Sequence, residues 1–427
     1  MEILENYLKL YDNLNSEIEK GIEARRQKAS LRVVDTDGNP ITGAKITFRQ
    51  RTQDFVFGCN ALKLGQCGID DQLYEECLAG LFNLVTTTLC LSDIEPVPGE
   101  WRFAEGSREI FRRPPPDRVL SFANRHGMAV KGQPLLAGSW FPKWAAGYSE
   151  AQIYELYDDY FRRVAERYGR SFKIFDIVNE AFCHTKFPLY TEDCGYVDRI
   201  FDLAKKYFTD GAVRELNEAT FVNTWSRQGE RYYNLAKRLL DNGHGLDSIG
   251  FQFHMFTPGE MSSHLDGKLL NPEEIYENYM RFSELGVPLY ISEITIPSVI
   301  DGMSREESEL MQAEVAERLY SLWFSIPNMA GIIWWNLNDG VHWRNEGDCR
   351  GCLCDTNLNP KPSYQRLEQL IKRRFMTSGM VESGREGIAE LQGFCGGYTG
   401  EAVFGEKSGK FAFDLKKDMG CVTVVIE

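Results

Sequence analysis

From residue 55 onward the chain repeats one pattern: a short run of β-branched and aromatic residues, then a longer stretch whose apolar residues recur every three or four positions. The short runs are FVFGCN (55–60), LVTTTLCL (84–91), MAVKGQPLL (128–136), KIFDIVNE (173–180), ATFVNTW (219–225), SIGFQFH (248–254), PLYISEI (288–294) and GIIWWNL (331–337). Helical stretches such as EAQIYELYDDYFRRVAERYG, RYYNLAKRLLDNG, PEEIYENYMRFSELG and SREESELMQAEVAERLYSLW separate them, several closed by a glycine after the last turn. Strand and helix in alternation imply a parallel sheet, and eight repeats imply closure. The pattern therefore predicts an α/β fold, a (β/α)8 TIM barrel over residues 55–375.

The two ends read differently. Ile3, Leu4, Tyr7, Leu8, Leu10, Tyr11 and Leu14 share one helical face, which predicts a packed N-terminal helix within residues 1–28. Residues 29–54 alternate apolar and polar positions around the turn formers Asp37-Gly38 and Asn39-Pro40, the pattern of a β-hairpin. Residues 376–427 alternate likewise, with glycine-rich turns. An isolated hairpin is marginal in water, so the two ends are expected to pair into one small β-rich accessory module. Pro114-Pro115-Pro116 reads as a stiff loop entering a helix, with Asp117 near its first turn.

Composition narrows the function. The 43% hydrophobic content, with 8 Trp, 19 Tyr and 26 Phe, supplies a large core and excludes wholesale disorder. A net charge of −14 disfavours nonspecific attraction to nucleic-acid phosphates or anionic lipid, so neither nucleic acid nor membrane is an expected partner. The first residues show no cationic stretch, apolar run and small-residue cleavage site in sequence, which makes a cytoplasmic location the expectation. Eleven cysteines cannot all pair within the chain, and no disulfide is assigned. Neither Cys349-Cys352-Cys354 nor Cys183-His184 with Asp193-Cys194 offers two well-spaced ligand pairs, so no metal site and no cofactor are expected.

Active groups of such barrels stand at the carboxyl ends of the strands. That rule selects Asn179 and Glu180 after the fourth run, Asn223 and Trp225 at the fifth, Gln252 and His254 at the sixth, Glu293 at the seventh, and Trp335 with Asn336 at the eighth. An Asn-Glu pair at a strand end is as readily a loop cap, and a lone histidine or tryptophan more often fills a core. Glu293 is the more telling residue, since a charge inside PLYISEITIP is costly without a purpose. Two carboxylates entering one mouth can flank a glycosidic bond, Glu180 giving a proton to the leaving oxygen and Glu293 attacking the sugar carbon. Asn179 is then placed to hold a sugar hydroxyl, His254 to orient Glu293, and Trp335 to wall the sugar.

In this order the motifs resemble glycoside hydrolase family 10, the endo-β-1,4-xylanase family, over about residues 55–375. DIVNEAF (176–182) resembles the acid/base segment and points to Glu180 with Asn179; GFQFHM (250–255) resembles the segment whose Gln252 and His254 support the nucleophile; YISEITI (290–296) resembles the nucleophile strand and points to Glu293. GIIWWNLNDGVHW (331–343) is similar to the family's eighth strand, which implies sugar-binding roles for Trp335 and Trp343. The resemblance implies retention of anomeric configuration, with carboxyl groups about 5–5.5 Å apart.

The departures fall on the glycone side. Where the family has Asn and Lys before Ile94-Glu95-Pro96, this chain reads TTTLCLSD, with Cys90 near the Lys position and no cation left. The family's Gly-His-Thr-Leu-Val-Trp-His becomes Gly132-Gln133-Pro134-Leu135-Leu136-Ala137-Gly138, placing Gln133 at a sugar-binding position, and Asn223-Thr224-Trp225 is matched to its Asn-Asp-Tyr. Each lost polar contact costs about 1–3 kcal/mol, which points to a small β-glycoside or xylo-oligosaccharide as the carbohydrate partner rather than long xylan. Trp140, Phe141, Trp144 and Trp225 are candidates for a replacement aromatic platform. The alternative is a catalytically silent carbohydrate-binding protein on the same barrel, for which two retained carboxylates have no use.

Overall fold

A computed structural model describes residues 2–209, 211–221, 223–340, 342 and 346–427. Its strands are β1 (Gln27–Val34), β2 (Lys45–Gln50), β3 (Val56–Asn60), β4 (Leu84–Thr88), β5 (Ala129–Gln133), β6 (Leu136–Ala137), β7 (Ile174–Asn179), β8 (Val213–Glu218), β9 (Ser248–His254), β10 (Leu289–Thr295), β11 (Met329–Trp334), β12 (Ser378–Glu382), β13 (Ile388–Gly393), β14 (Gly396–Phe404), β15 (Lys407–Leu415) and β16 (Val422–Val425).

Strands β3 to β11 form one sheet in the order β5-β4-β3-β11-β10-β9-β8-β7-β6, and β5 also pairs with β7, which closes the eight-stranded parallel barrel. Pro134 interrupts the third strand, so β6 continues it after a short break and pairs parallel with β7. Strands such as β9 and β10 are buried along their whole length, which explains why they read as near-continuous apolar runs. The surrounding helices start where the sequence caps them: Ser149 with Gln152, Thr257 with Glu260, Asn271 with Glu274 and Ser304 with Glu307 each form a reciprocal capping box.

Three expectations are corrected. The fifth barrel strand is Val213–Glu218, not residues 219–225. Its inward positions, Glu215 and Asn217, are polar and fully buried, so no hydrophobic run marks it. The N-terminal segment is two helices, Glu2–Lys9 and Asn15–Ala24, split near Asp12, Asn13 and Asn15, residues that favour turns over helix interior. Residues 29–54 pair with each other only at the turn, where Val34 bridges Pro40 antiparallel; beyond it β1 pairs with β13 and β16, whereas β2 pairs with β12 and β14. Alternation fixes a strand's two faces but not its partner. Here Asp35, whose carboxylate accepts the Asp37 and Asn39 amides, turns the chain from one sheet into the other.

The two chain ends thus interleave into a three-stranded sheet, β13-β1-β16, and a four-stranded sheet, β12-β2-β14-β15. Leu31, Val33, Ile46, Phe48, Tyr398 and Leu415 are among the residues packed in their shared core. The helix Asn15–Ala24 rides on the barrel helix Arg305–Ser325 so closely that a Cβ at Gly21 would lie 2.8 Å from the Cβ of Ser325.

Candidate active site

At the carboxyl ends of the barrel strands lies a cleft of about 1030 Å³, with Glu180 and Glu293 both in its lining. Both strands that deliver them carry a register shift against a neighbour, β7 between Asp176 and Val178 and β10 between Ile291 and Glu293. Such bulges re-aim side chains at the rim of a barrel.

Glu180 follows the last residue of β7 with φ of 58°, a left-handed conformation disfavoured for a side chain of its size. Its amide donates to the Asn217 carbonyl at 3.0 Å, which holds the turn. One carboxylate oxygen, Oε2, lies 2.8 Å from His184 Nε2; the other accepts from Gln252 Nε2 at 3.3 Å. Burial pushes this carboxyl upward, but the hydrogen bond and charge of His184 more than offset that and hold it below its ordinary value.

Glu293 is set deeper, with its side chain 5% exposed against 24% for Glu180. Its Oε1 accepts from Gln133 Nε2 and, at 3.1 Å, from Asn217 Nδ2, while Oε2 lies 3.1 Å from His254 Nε2. His254 is anchored through Nδ1 to Thr295 Oγ1 at 2.9 Å, and burial lowers it to about 4, so it is neutral at neutral pH. Burial, with the facing charge of Glu180, pushes the Glu293 carboxyl well above the ordinary range, against the pull of its amide donors.

Beneath the pair is a polar floor. Asn217 Nδ2 also donates to Asp176 at 3.1 Å, and Ser292 donates to Asn217 Oδ1 at 2.5 Å. One layer lower, Lys131 is ion-paired with Glu215, both wholly buried. Gly250 leaves room for this layer: a Cβ there would sit 2.7 Å from Glu215 Oε1.

Of the residues the sequence selected, Gln133, Asn179, Glu180, Gln252, His254, Glu293 and Trp335 are brought to this cleft. Asn179 accepts from Gln252 at 2.9 Å, and Trp335 meets His254 edge to face at 5.7 Å, while its neighbour Trp334 is buried on the other side of the wall. Asn336 does not line the cleft but accepts from Arg112 at 2.8 Å and donates to Glu346 at 3.1 Å, and two others are not brought there. Asn223 is exposed and donates to Glu260 at 2.5 Å, the residue that caps the helix Pro258–Leu265. Trp225 begins the helix Trp225–Asp241 and packs against Phe251, Tyr279 and Phe282 in the core. Both errors follow from the misplaced fifth strand, whose true end carries Asn217 and Glu218. Trp343 lies outside the described residues.

The sequence reading also missed groups that enter from loops. Arg112 donates to Asn336 at 2.8 Å and to Glu346 at 3.1 Å, and Arg113 pairs with Asp93 at 2.9 Å and lies 4.7 Å from the Trp140 ring centre. With Lys143 they return positive charge to a wall where strand two left none. Trp140, Phe141 and Trp144 line the cleft, and Phe221 takes the aromatic place expected of Trp225. All eleven cysteines are free thiols, and no group of three or more His, Cys, Asp or Glu among the described residues could hold a metal ion. Among those residues no helix is long and apolar enough to cross a membrane.

A closed parallel barrel with two carboxylates facing one cleft at the ends of its strands defines a class, the glycoside hydrolases of (β/α)8 type. Residues 82–370 match the model of glycosyl hydrolase family 10, and the chain belongs to that family. Among its relatives is endo-1,4-beta-xylanase B of Thermotoga neapolitana, 25% identical over 326 residues, covering 71% of this chain and 85% of that one. Another, the anti-sigma-I factor RsgI6 of Acetivibrio thermocellus, is 23% identical over 409 residues and covers 94% of this chain but 48% of its own length. Native xylanase 10B of Thermotoga maritima has the same fold, with a TM-score of 0.62 at 24% identity over 75% of this chain and 96% of that one.

Proposed function

We propose that this chain hydrolyses β-glycosides with retention, Glu293 acting as nucleophile and Glu180 as general acid and base. The observation that carries the reading is the unequal setting of the two carboxyls. Glu293 is fixed by Gln133, Asn217 and His254, while Glu180 is nearer solvent and bonded by His184 and Gln252. Neighbouring carboxyls resist double ionisation and compete for a proton: burial and the charge of Glu180 push Glu293 up, while His184 holds Glu180 down. A glycosidic oxygen seated against Glu180 displaces water from it and draws the proton there. Glu293 is then ionised among donors already in place, the arrangement the first step needs.

The substrate we propose is a small β-glycoside or xylo-oligosaccharide. The relative from Thermotoga neapolitana is named an endo-1,4-beta-xylanase, which supports the sugar class. The short substrate follows from the wall: Cys90 and Gln133 are buried, Gln133 is spent on Glu293, and Arg112 and Arg113 are tied to acidic partners. We assign Asn179, Gln252, His254 and Trp335 to substrate binding or its support, and divide the chain into the catalytic barrel and the β module of its two ends. A second reading, carbohydrate binding without turnover, is favoured by one observation: the relative spanning both parts of this chain is named an anti-sigma factor.

Incubation with aryl β-xylobiosides tests both. The first reading expects release of the aryl group, a β-configured sugar as the first product seen by proton NMR, and loss of turnover by at least about 10³-fold in Glu293→Ala. Sugar binding without turnover across a broad glycoside panel would favour the second.

A further inference from the structure

His184 stands four residues beyond Glu180, with its Nε2 2.8 Å from Glu180 Oε2, and both side chains open to the cleft at 22% and 24% exposure. A second segment is shaped to admit it. Gly138, just after β6, packs against His184 so closely that a Cβ there would fall 2.6 Å from the Cβ of His184 and 2.9 Å from that of Phe187. A side chain at 138 would force His184 or Phe187 to shift. The remaining oxygen of Glu180 is held by Gln252, an amide that cannot titrate, so the acid/base has one fixed donor and one whose charge can change. The other titratable groups around the pair are Glu293 and His254 across the cleft, Glu218 and Cys183 behind the turn, and Lys143 on the lining of the same cleft.

We propose that His184 is the positioning residue of Glu180, holding its carboxylate toward the leaving group and stabilising its ionised form. The inference rests on the assignment of Glu180 as acid/base. In the first half-reaction the bond from the sugar carbon to the glycosidic oxygen breaks, its electron pair stays on that oxygen, and the Glu180 proton moves there while Glu293 bonds to the carbon. The carboxylate left behind is the form His184 holds. In the second half-reaction that carboxylate takes a proton from the water attacking the sugar carbon, Glu293 is released with its electron pair, and no proton is gained or lost over the cycle.

Acid catalysis is present below the pKa of Glu180 and lost above it. In the enzyme–substrate complex, where the proton lies on Glu180, removing the imidazole therefore moves the basic limb of kcat to higher pH. The test is that profile for phenyl β-xylobioside, a poor leaving group, in the wild type, His184→Phe and His184→Gln. We expect the limb to rise by about 1 pH unit in His184→Phe and less in His184→Gln, which keeps a donor without a charge. With the 2,4-dinitrophenyl glycoside, which needs no proton, kcat/KM should change by less than about threefold. A basic limb unmoved in both variants, whatever their rates, overturns the proposal and leaves His184 a packing residue. A carbon-13 titration of the Glu180 carboxyl, assigned by its loss in Glu180→Gln, decides independently of turnover. Its midpoint rises in His184→Phe if the pairing holds, and an unmoved midpoint overturns it. Should the wild type cleave neither glycoside, the glycosidase reading fails while this midpoint still decides the pair.

Discussion

Glu218 shows how much a single buried carboxyl can govern. It lies beside Asn217 at the end of β8, wholly buried; one oxygen accepts the Ala219 amide at 3.0 Å and the other has no partner. Burial, opposed by backbone amides and reinforced by the charge of Glu180, pushes it up to about 8. The folded chain therefore keeps a proton that the unfolded chain loses near pH 4.5. Its contribution to stability is complete below that value and drains away as pH rises through about 8, a loss on the order of 4–5 kcal/mol. Glu218→Gln should flatten the dependence of unfolding free energy on pH between 5 and 9 and be the more stable protein at pH 9. Urea unfolding at pH 5, 7 and 9 checks this, and parallel curves for the two proteins would contradict it. No feature of the sequence pointed to this residue, because its burial depends on strands that meet only in the barrel.

At the scale of elements, β5 and β8 are tied through the barrel interior by Lys131 and Glu215. Removing one partner of a wholly buried pair strands the other charge, so Lys131→Met should cost about 3–5 kcal/mol, and the double variant Lys131→Met with Glu215→Leu should recover most of it. Thermal unfolding of the three variants measures the coupling, and additive losses would refute it. The same pair explains which strands were legible. Runs such as SIGFQFH and PLYISEI, buried on both faces, stand out by hydrophobicity, as do five others. VRELNE turns Glu215 and Asn217 inward, reads as surface, and was passed over in favour of the apolar ATFVNTW behind it. The misplaced strand carried Asn223 and Trp225 with it, and hid Asn217, the amide that joins Asp176 to Glu293.

Across the whole molecule, the N-terminal segment is clamped to the barrel by Arg25. Its guanidinium donates to the carbonyls of Phe324, Ile326 at 2.7 Å and Met329 at 2.5 Å, and lies 4.9 Å from the Phe55 ring centre and 4.7 Å from that of Phe324. Phe324 lies in the last turn of the helix Arg305–Ser325, whose carbonyls lack intrahelical donors, and Ile326, which also accepts from the Met329 amide, leads into β11. Arg25→Ala should lower stability by about 2–4 kcal/mol, and Arg25→Lys should not restore it, since a single ammonium cannot reach three acceptors in that fork. Denaturant midpoints for both variants test this, and a Lys variant equal to wild type would argue that charge alone suffices.

The sequence by itself determined the barrel, seven of its strands, and the two carboxylates with Asn179, Gln252, His254 and Trp335, because strand ends in a parallel barrel converge on one mouth whatever fills the loops. Only the tertiary structure decided what surrounds them. His184, Arg112, Arg113 and Asn217 come from segments without periodic pattern, and their place is fixed by partners distant in sequence. The same holds for β1 and β2, whose alternation named two faces while the neighbours from the other end of the chain chose the sheet for each. Local pattern records which face of an element is buried; the partner it is buried against is written only in the assembled fold.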